Sequence, residues 1–356
     1  MSFWQNRPSG RQRGNNVKQR LAEFDIAKAI ALFGVIVGHS QYLGVPSHLA
    51  RFFYSFDMPL FFIISGYFLR PNDELNAQFV KKNAKALLVP YVITSSIVIL
   101  IACLLAIVDP NQSVADAAQY WIRASFFGAG SITPKTPSFV PQIGAIWYLL
   151  ALFLAKCYLA YANQTSNPTI FVLVAFFIGC STTELVWLPF SIQPALGAVL
   201  FLFIGQKIRQ SNVLDRITHS EWILVTTVWL FSALKYGELY MVTNTYVHGA
   251  LDVIGSVFGS LAILKFSKKI ASKDLILVSA LCAVGRHTLP IFCMHLVELN
   301  LFPYEIIQPI VGALPLPQWI TYVIARIVII GLLAAALSLT PILISGPFFP
   351  DRKQRA

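Results

Sequence analysis

Polar residues in this chain are gathered into short interruptions between long apolar runs. Ten runs approach the ~20 residues that cross a hydrocarbon core. They lie near 24 to 43, 52 to 69, 86 to 108, 145 to 162, 168 to 187, 188 to 208, 221 to 240, 247 to 265, 275 to 298 and 319 to 347. The pattern predicts an all-α integral membrane protein of about ten transmembrane helices. The first run is too long for a cleavable signal peptide, carries Lys28 and His39, and is followed by further spans. The longest interruption, about 109 to 144, contains Trp121, Phe126, Phe127 and four prolines, and reads as a partly ordered lid.

Composition strengthens this picture. Of 356 residues 56% are hydrophobic and 12% charged, against a soluble norm of about 25% charged, which excludes a water-soluble globule. The net charge of +11 suggests nucleic acid until the basic residues are placed between the runs. With the N-terminus cytoplasmic, nineteen Lys and Arg fall in cytoplasmic segments and three (Arg51, Arg123, Lys135) opposite, with five within or at the ends of spans. That asymmetry puts both termini in the cytoplasm, and accounts for the high pI without nucleic acid. Residues 1–20 read as a disordered basic tail, 21–349 as the transmembrane domain and 350–356 as a second cytoplasmic tail. All five cysteines lie inside apolar runs without CxxC spacing, so they read as core residues, and no metal site is indicated.

Ionisable residues inside a membrane are costly and mark candidate chemistry. In the first run His39 lies eleven positions after Lys28. Eleven helical steps close to within about 20° of three full turns, so both side chains share a face roughly 16 Å apart. Asp25, one turn before Lys28, falls near the same stripe. Lys28 can equally be a snorkelling anchor, and His39 an interhelical hydrogen-bonding group. Lys82 and Lys85, three apart, share a face at the cytosolic boundary, as an anchor or as a site for a polyanion. Asp57 precedes the run MPLFFIISGYF, where Pro59 and the Ser65–Gly66 pair imply a kink or a close helix approach. Its carboxylate needs a partner, for which Lys28, Arg51 and His39 are candidates. In GRHTLPIFCMH, Gly285 and Pro290 suggest a broken helix beside Arg286 and His295.

Together these motifs resemble the acyltransferase 3 family of integral membrane acyltransferases, in the branch of fucose 4-O-acetylase-like proteins. The resemblance runs from about 21 to 345. A Lys or Arg, ten residues and a His mark the family's first span, matched by Lys28 and His39, with Asp25 a turn earlier. Lys82-Asn83-Ala84-Lys85 stands where the family has an R-x-x-R pair, and the last two motifs match its second-span and late-span signatures. Similar sequences often have His in place of Asp57.

The resemblance implies transfer of an acyl group, usually acetyl, from cytosolic acyl-CoA to a hydroxyl of an extracytoplasmic glycan or lipid-linked sugar. A lipopolysaccharide O-antigen is the leading candidate, in the bacterial inner membrane. It implies no bound cofactor, acyl-CoA being a substrate, and no partner beyond donor, acceptor and membrane lipid. His39 would be catalytic, as general base or as nucleophile, and Lys28, Lys82 and Lys85 would hold the donor's phosphates. Asp25, Asp57, Ser65, Arg286 and His295 would support, His295 by orienting the acceptor and Arg286 by pairing with Asp25 or Asp57. The rival reading is a transporter or flippase, against which stand the absence of an inverted repeat and the lysine cluster.

Overall fold

The computed structural model describes residues 10–131, 137–237 and 239–349. The C-terminal tail, the first nine residues of the N-terminal tail, and Pro134 and Lys135 in the long interruption lie outside the described residues. The described chain is helical almost throughout. In order it forms α1 (Gly10–Gly38), α2 (Ser47–Tyr54), α3 (Asp57–Tyr67), α4 (Ala77–Val108), α5 (Val114–Phe127), α6 (Trp147–Ala162), α7 (Pro168–Thr183) and α8 (Ile192–Ser211). There follow α9 (Val213–Arg216), α10 (His219–Lys235), α11 (Ala250–Ala271), α12 (Ile276–Arg286), α13 (Thr288–Leu301), α14 (Gln308–Ala313), α15 (Gln318–Leu339) and α16 (Ile342–Ser345). Helix α1 begins inside the segment read as a tail. The one sheet among the described residues is a two-stranded antiparallel ribbon, β1 (Leu239–Tyr240) with β2 (Thr245–Tyr246), pairing Leu239 with Tyr246.

Among the described residues, four helices are long and apolar enough to cross a membrane: α4, Pro189–Ser211 (which contains α8), α11 and α15. Helices α12 and α13 would together make a fifth, bent by 74°. Helices α6 and α7 are apolar but have 16 residues each, about 24 Å at helical rise. Helix α1 is long enough but carries Glu23, Asp25 and Lys28. Large apolar side chains stand exposed along α4 (Val92, Leu100, Leu104) and α15 (Ile324, Val328, Leu332), an outer surface suited to lipid rather than water.

Two expected spans are broken, each just before a proline. The run 52 to 69 is not one helix but α2 and α3, separated at Ser55–Phe56. A continuous helix would drive the Pro59 ring into the carbonyl of Ser55. Instead Ser55 Oγ bonds the carbonyl of Phe52 at 2.7 Å and accepts from the buried Trp229 Nε1 at 2.9 Å. In the ninth run Pro290 bears the same relation to Arg286, and the bend falls at His287 between α12 and α13. The seventh run ends its helix at Lys235 rather than 240, because the chain turns there into the β ribbon.

The core is centred on α3 and α8, which cross backbone to backbone. A Cβ at Gly66 would lie 1.9 Å from the carbonyl oxygen of Leu202, and one at Gly205 2.0 Å from that of Ile63. The two glycines are thus each other's clearance, a small-residue contact typical of membrane helices. Helix α12 approaches α1 similarly, with Gly285 against the backbone of Asp25. Above this core the long interruption supplies α5, tied down by Tyr91 Oη to the carbonyl of Ser125 (2.7 Å) and by Ser191 Oγ to that of Gly128 (2.6 Å).

Candidate active site

Helix α1 runs unbroken past Lys28 and ends at Gly38, so His39 sits at its C-terminal end, with its amide still bonded to the carbonyl of Val35 at 3.0 Å. A helix end leaves carbonyls without intrahelical donors. Here Arg326 of α15 meets them: its Nη1 donates to the carbonyl of His39 (2.5 Å) and to Ser40 Oγ (2.8 Å). A guanidinium also suits the negative end of the helix dipole.

Arg326 is fully buried and is neutralised by Glu298 of α13 in a two-pronged ion pair, Nε to Oε1 at 2.8 Å and Nη2 to Oε2 at 2.9 Å. One turn earlier on α13, His295 Nδ1 lies 3.1 Å from Glu298 Oε2. A carboxylate can only accept, and this contact is shorter than the 3.4 Å approach of Arg326 Nη2 to the same nitrogen, so the proton is assigned to Nδ1 and Nε2 keeps a lone pair. That Nε2 is buried and has no partner. The His295 ring centre stands 5.6 Å from that of His39, and Tyr54 of α2 lies 6.1 Å away on T-shaped contact. The network therefore fixes the backbone of His39 while leaving its imidazole unbonded among the described residues.

The imidazole of His39 borders two adjoining cavities. The first, about 220 Å³, is lined by Val35, Asp57, Met58, Trp147, Met241 and Phe292 among others. The second, about 440 Å³, is lined by Tyr42, Gln142, Gly144 and Asn300, and the two share His39, Gln41, Tyr54 and Gly130. The long interruption and the ribbon between α10 and α11 thus both reach the site.

Asp57 opens α3, where the helix dipole favours a carboxylate. Its Oδ1 accepts from the amide of Met58 at 2.5 Å, and its Oδ2 is buried without a hydrogen-bond partner. None of Lys28, Arg51 and His39 is bonded to it, which corrects that expectation. A buried orphan carboxylate oxygen is costly, and this one belongs to a residue in the cavity wall. Ser65 lies 3.5 Å from Tyr148 Oη, behind that wall.

The other expected residues are placed elsewhere. Lys28 pairs with Asp25 on the shared stripe, Nζ to Oδ1 at 2.7 Å. Arg286 is exposed at the end of α12 and pairs with neither Asp25 nor Asp57. Asp25 is paired by Lys28 instead, and the buried arginine of the site is Arg326, paired with Glu298. Lys82 and Lys85 are exposed on the first turns of α4 and line neither of the two cavities. Beside them Lys156 of α6 donates to Asn83 Oδ1 at 3.3 Å and lies within electrostatic range of Lys82.

Comparison with known families matches residues 21–339 to the acyltransferase 3 model, described as an acyltransferase domain. The chain belongs to the acyltransferase 3 family. Comparison with curated proteins and with solved structures finds no match. The chain is therefore a membrane acyltransferase, and its catalytic group has to be sought among side chains that reach a cavity. In this acyltransferase His39 and Asp57 do so.

Sequence reading passed over Arg326 and Glu298 of this acyltransferase. Both are ionisable residues inside apolar runs, so the rule that singled out His39 applied equally to them. Arg326 was placed with the charges of its span, and Glu298, three residues after His295, lies at the edge of the ninth run. Their partnership spans 28 positions and two helices, which no local spacing reveals.

Proposed function

We propose that this acyltransferase moves an acyl group, most simply acetyl, from cytosolic acyl-CoA to a hydroxyl of an extracytoplasmic glycan such as a lipopolysaccharide O-antigen. It would do so in a bacterial inner membrane, with ten crossings and both termini cytoplasmic. The observation that carries the reading is His39, whose ring makes no hydrogen bond among the described residues, in the wall of two cavities beneath the long interruption, at the far end of the helix that carries Lys28. Lys28, Lys82 and Lys85 hold the donor's phosphates at the opposite face, and Lys156 adds a fourth ammonium group beside Lys82. The pantetheine arm then carries the thioester toward His39, so the donor need not cross the membrane.

In the reaction the acceptor oxygen forms a bond to the thioester carbonyl carbon as the carbon–sulfur bond breaks. The hydroxyl proton passes to His39 and the CoA sulfur leaves as thiolate, which then takes up a proton. In the alternative course His39 first takes the acyl group on nitrogen and passes it to the hydroxyl. Arg326 and Glu298 act as positioning residues in either course, since Arg326, held by Glu298, fixes the backbone of His39 and neither residue lines the two cavities at His39.

Purified protein in detergent tests the donor assignment. CoA and acetyl-CoA should raise its melting temperature, because a ligand of the native state stabilises it. Lys82→Glu with Lys85→Glu should remove that rise. A melting temperature indifferent to both compounds would sink the assignment.

A further inference from the structure

The two cavities that meet at His39 differ in chemistry. The 220 Å³ chamber is walled mainly by apolar side chains and by Asp57. The 440 Å³ chamber, within the ~300–1,000 Å³ range of small-molecule sites, is walled by amides and phenols: Gln41, Gln142, Asn300, Tyr42 and Tyr54. No Lys, Arg, Asp or Glu lines it among the described residues. Arg326, whose guanidinium lies 5.6 Å from the Tyr42 ring centre, is committed to Glu298 and the end of α1. Among the described residues an anion would therefore find no free Lys or Arg in this chamber.

A carboxamide both donates and accepts, which is the complement of a hydroxyl that does the same. The polar groups here are also held in place. Asn300 spends one donor on the carbonyl of Leu296 (3.0 Å), which fixes its side chain. The backbone of Gln142 is fixed by its bridge to Ala129, beside Gly130. Tyr42 stacks its edge on Tyr304 at 6.2 Å, leaving its exposed ring as a rigid apolar platform.

Resting on the acyltransferase reading above, we infer that the 440 Å³ chamber is the acceptor subsite. It takes an uncharged, hydroxyl-rich saccharide unit, with Gln142 and Asn300 as the residues that recognise its hydroxyls and Tyr42 as the surface for its ring. The acyl-bearing end of the donor occupies the apolar chamber, and His39 stands in the wall common to both. The hydroxyl that is acylated is the one this chamber presents to His39.

The test uses the full-length protein in lipid nanodiscs. The probe is an oligosaccharide released from the cells' own surface polysaccharide and stripped of esters with dilute alkali. Saturation-transfer NMR should detect the probe on the wild type. Gln142→Leu and Asn300→Leu should weaken its binding at least tenfold. In steady-state assays the same variants should raise the KM for the saccharide at least tenfold and that for acetyl-CoA less than twofold. Gln142→Glu, which keeps the shape but can only accept, should behave like Gln142→Leu and guards against a folding artefact. Unchanged probe binding, or equal rises in both KM values, overturns the assignment. A wild type that transfers no acyl group removes the acyltransferase-to-glycan reading. The NMR comparison then decides the chamber alone, since specific binding lost in the variants upholds it and no binding overturns it.

Discussion

At the residue scale His39 is held by its backbone, and no hydrogen bond to its ring is made among the described residues. This differs from a base oriented by a carboxylate, and it makes the Arg326–Glu298 pair the foundation of the site. Breaking a buried ion pair by removing one partner leaves an uncompensated charge and costs ~3–5 kcal/mol. Arg326→Met and Glu298→Leu singly should therefore each lower the melting temperature sharply. Replacing both by apolar residues should recover much of that stability, and yet leave transfer low because the carbonyl of His39 has lost its clamp. Full activity in the double variant would reduce the pair to a structural role. The neighbouring residues show what the sequence could reveal. His39, Asp57 and His295 were legible because an ionisable side chain in an apolar run is conspicuous. That Asp57 Oδ2 meets no hydrogen-bond partner, and that Arg326 rather than Arg286 serves α1, depend on how distant helices dock.

At the element scale the site depends on where helices stop. Pro59 and Pro290 were readable as interruptions, and each does end a helix within a few residues. What local sequence did not show is that the first break brings Tyr54 and Asp57 to the cavity around His39, or that α13 carries His295 back toward α1. The close contact of α3 and α8 is a sharper case, for Gly66 was legible as a small residue but its counterpart Gly205 was not. Gly66→Val places carbon atoms inside the approach of two backbones and should cost about 3 kcal/mol or more. Lower melting temperature and membrane abundance would check this, and an unaltered protein would show that the helices separate freely. On α4 the prediction is electrostatic: Lys82→Glu with Lys85→Glu should raise the KM for acyl-CoA more than that for the acceptor. Equal effects would leave these lysines as membrane anchors.

At the scale of the whole molecule the hydrophobic pattern foretold a helical membrane protein, and the acyltransferase 3 match extends that to the class of reaction. The count of crossings was harder to read, because hydropathy registers apolar length and not continuity. A run split by proline and a run spanned by one straight helix look alike. Cysteines introduced singly at residues 75, 115, 165 and 273 test the ten-span layout with an impermeant thiol reagent applied to intact cells. The cysteine at 115 should be labelled and those at 75, 165 and 273 should all be protected, because 75 and 273 lie in lysine-rich cytoplasmic segments and the fourth and fifth runs turn inside. Labelling at 75 or 273 would overturn the proposed orientation.

The central claim is that His39 carries acyl transfer to a surface glycan. It is tested most directly by NMR of the surface polysaccharide from cells with the intact gene, a deletion and a His39→Ala version. Loss of a general base or nucleophile lowers turnover by ~10²–10⁴-fold or more. Ester-linked acyl signals should therefore vanish in the deletion and in His39→Ala alike, with the variant present in the membrane at the intact level. The sugar proton that shifts between samples then marks the acylated hydroxyl. Ester signals that persist in the His39→Ala cells, or a deletion that loses polymer without changing its acylation, would contradict the account.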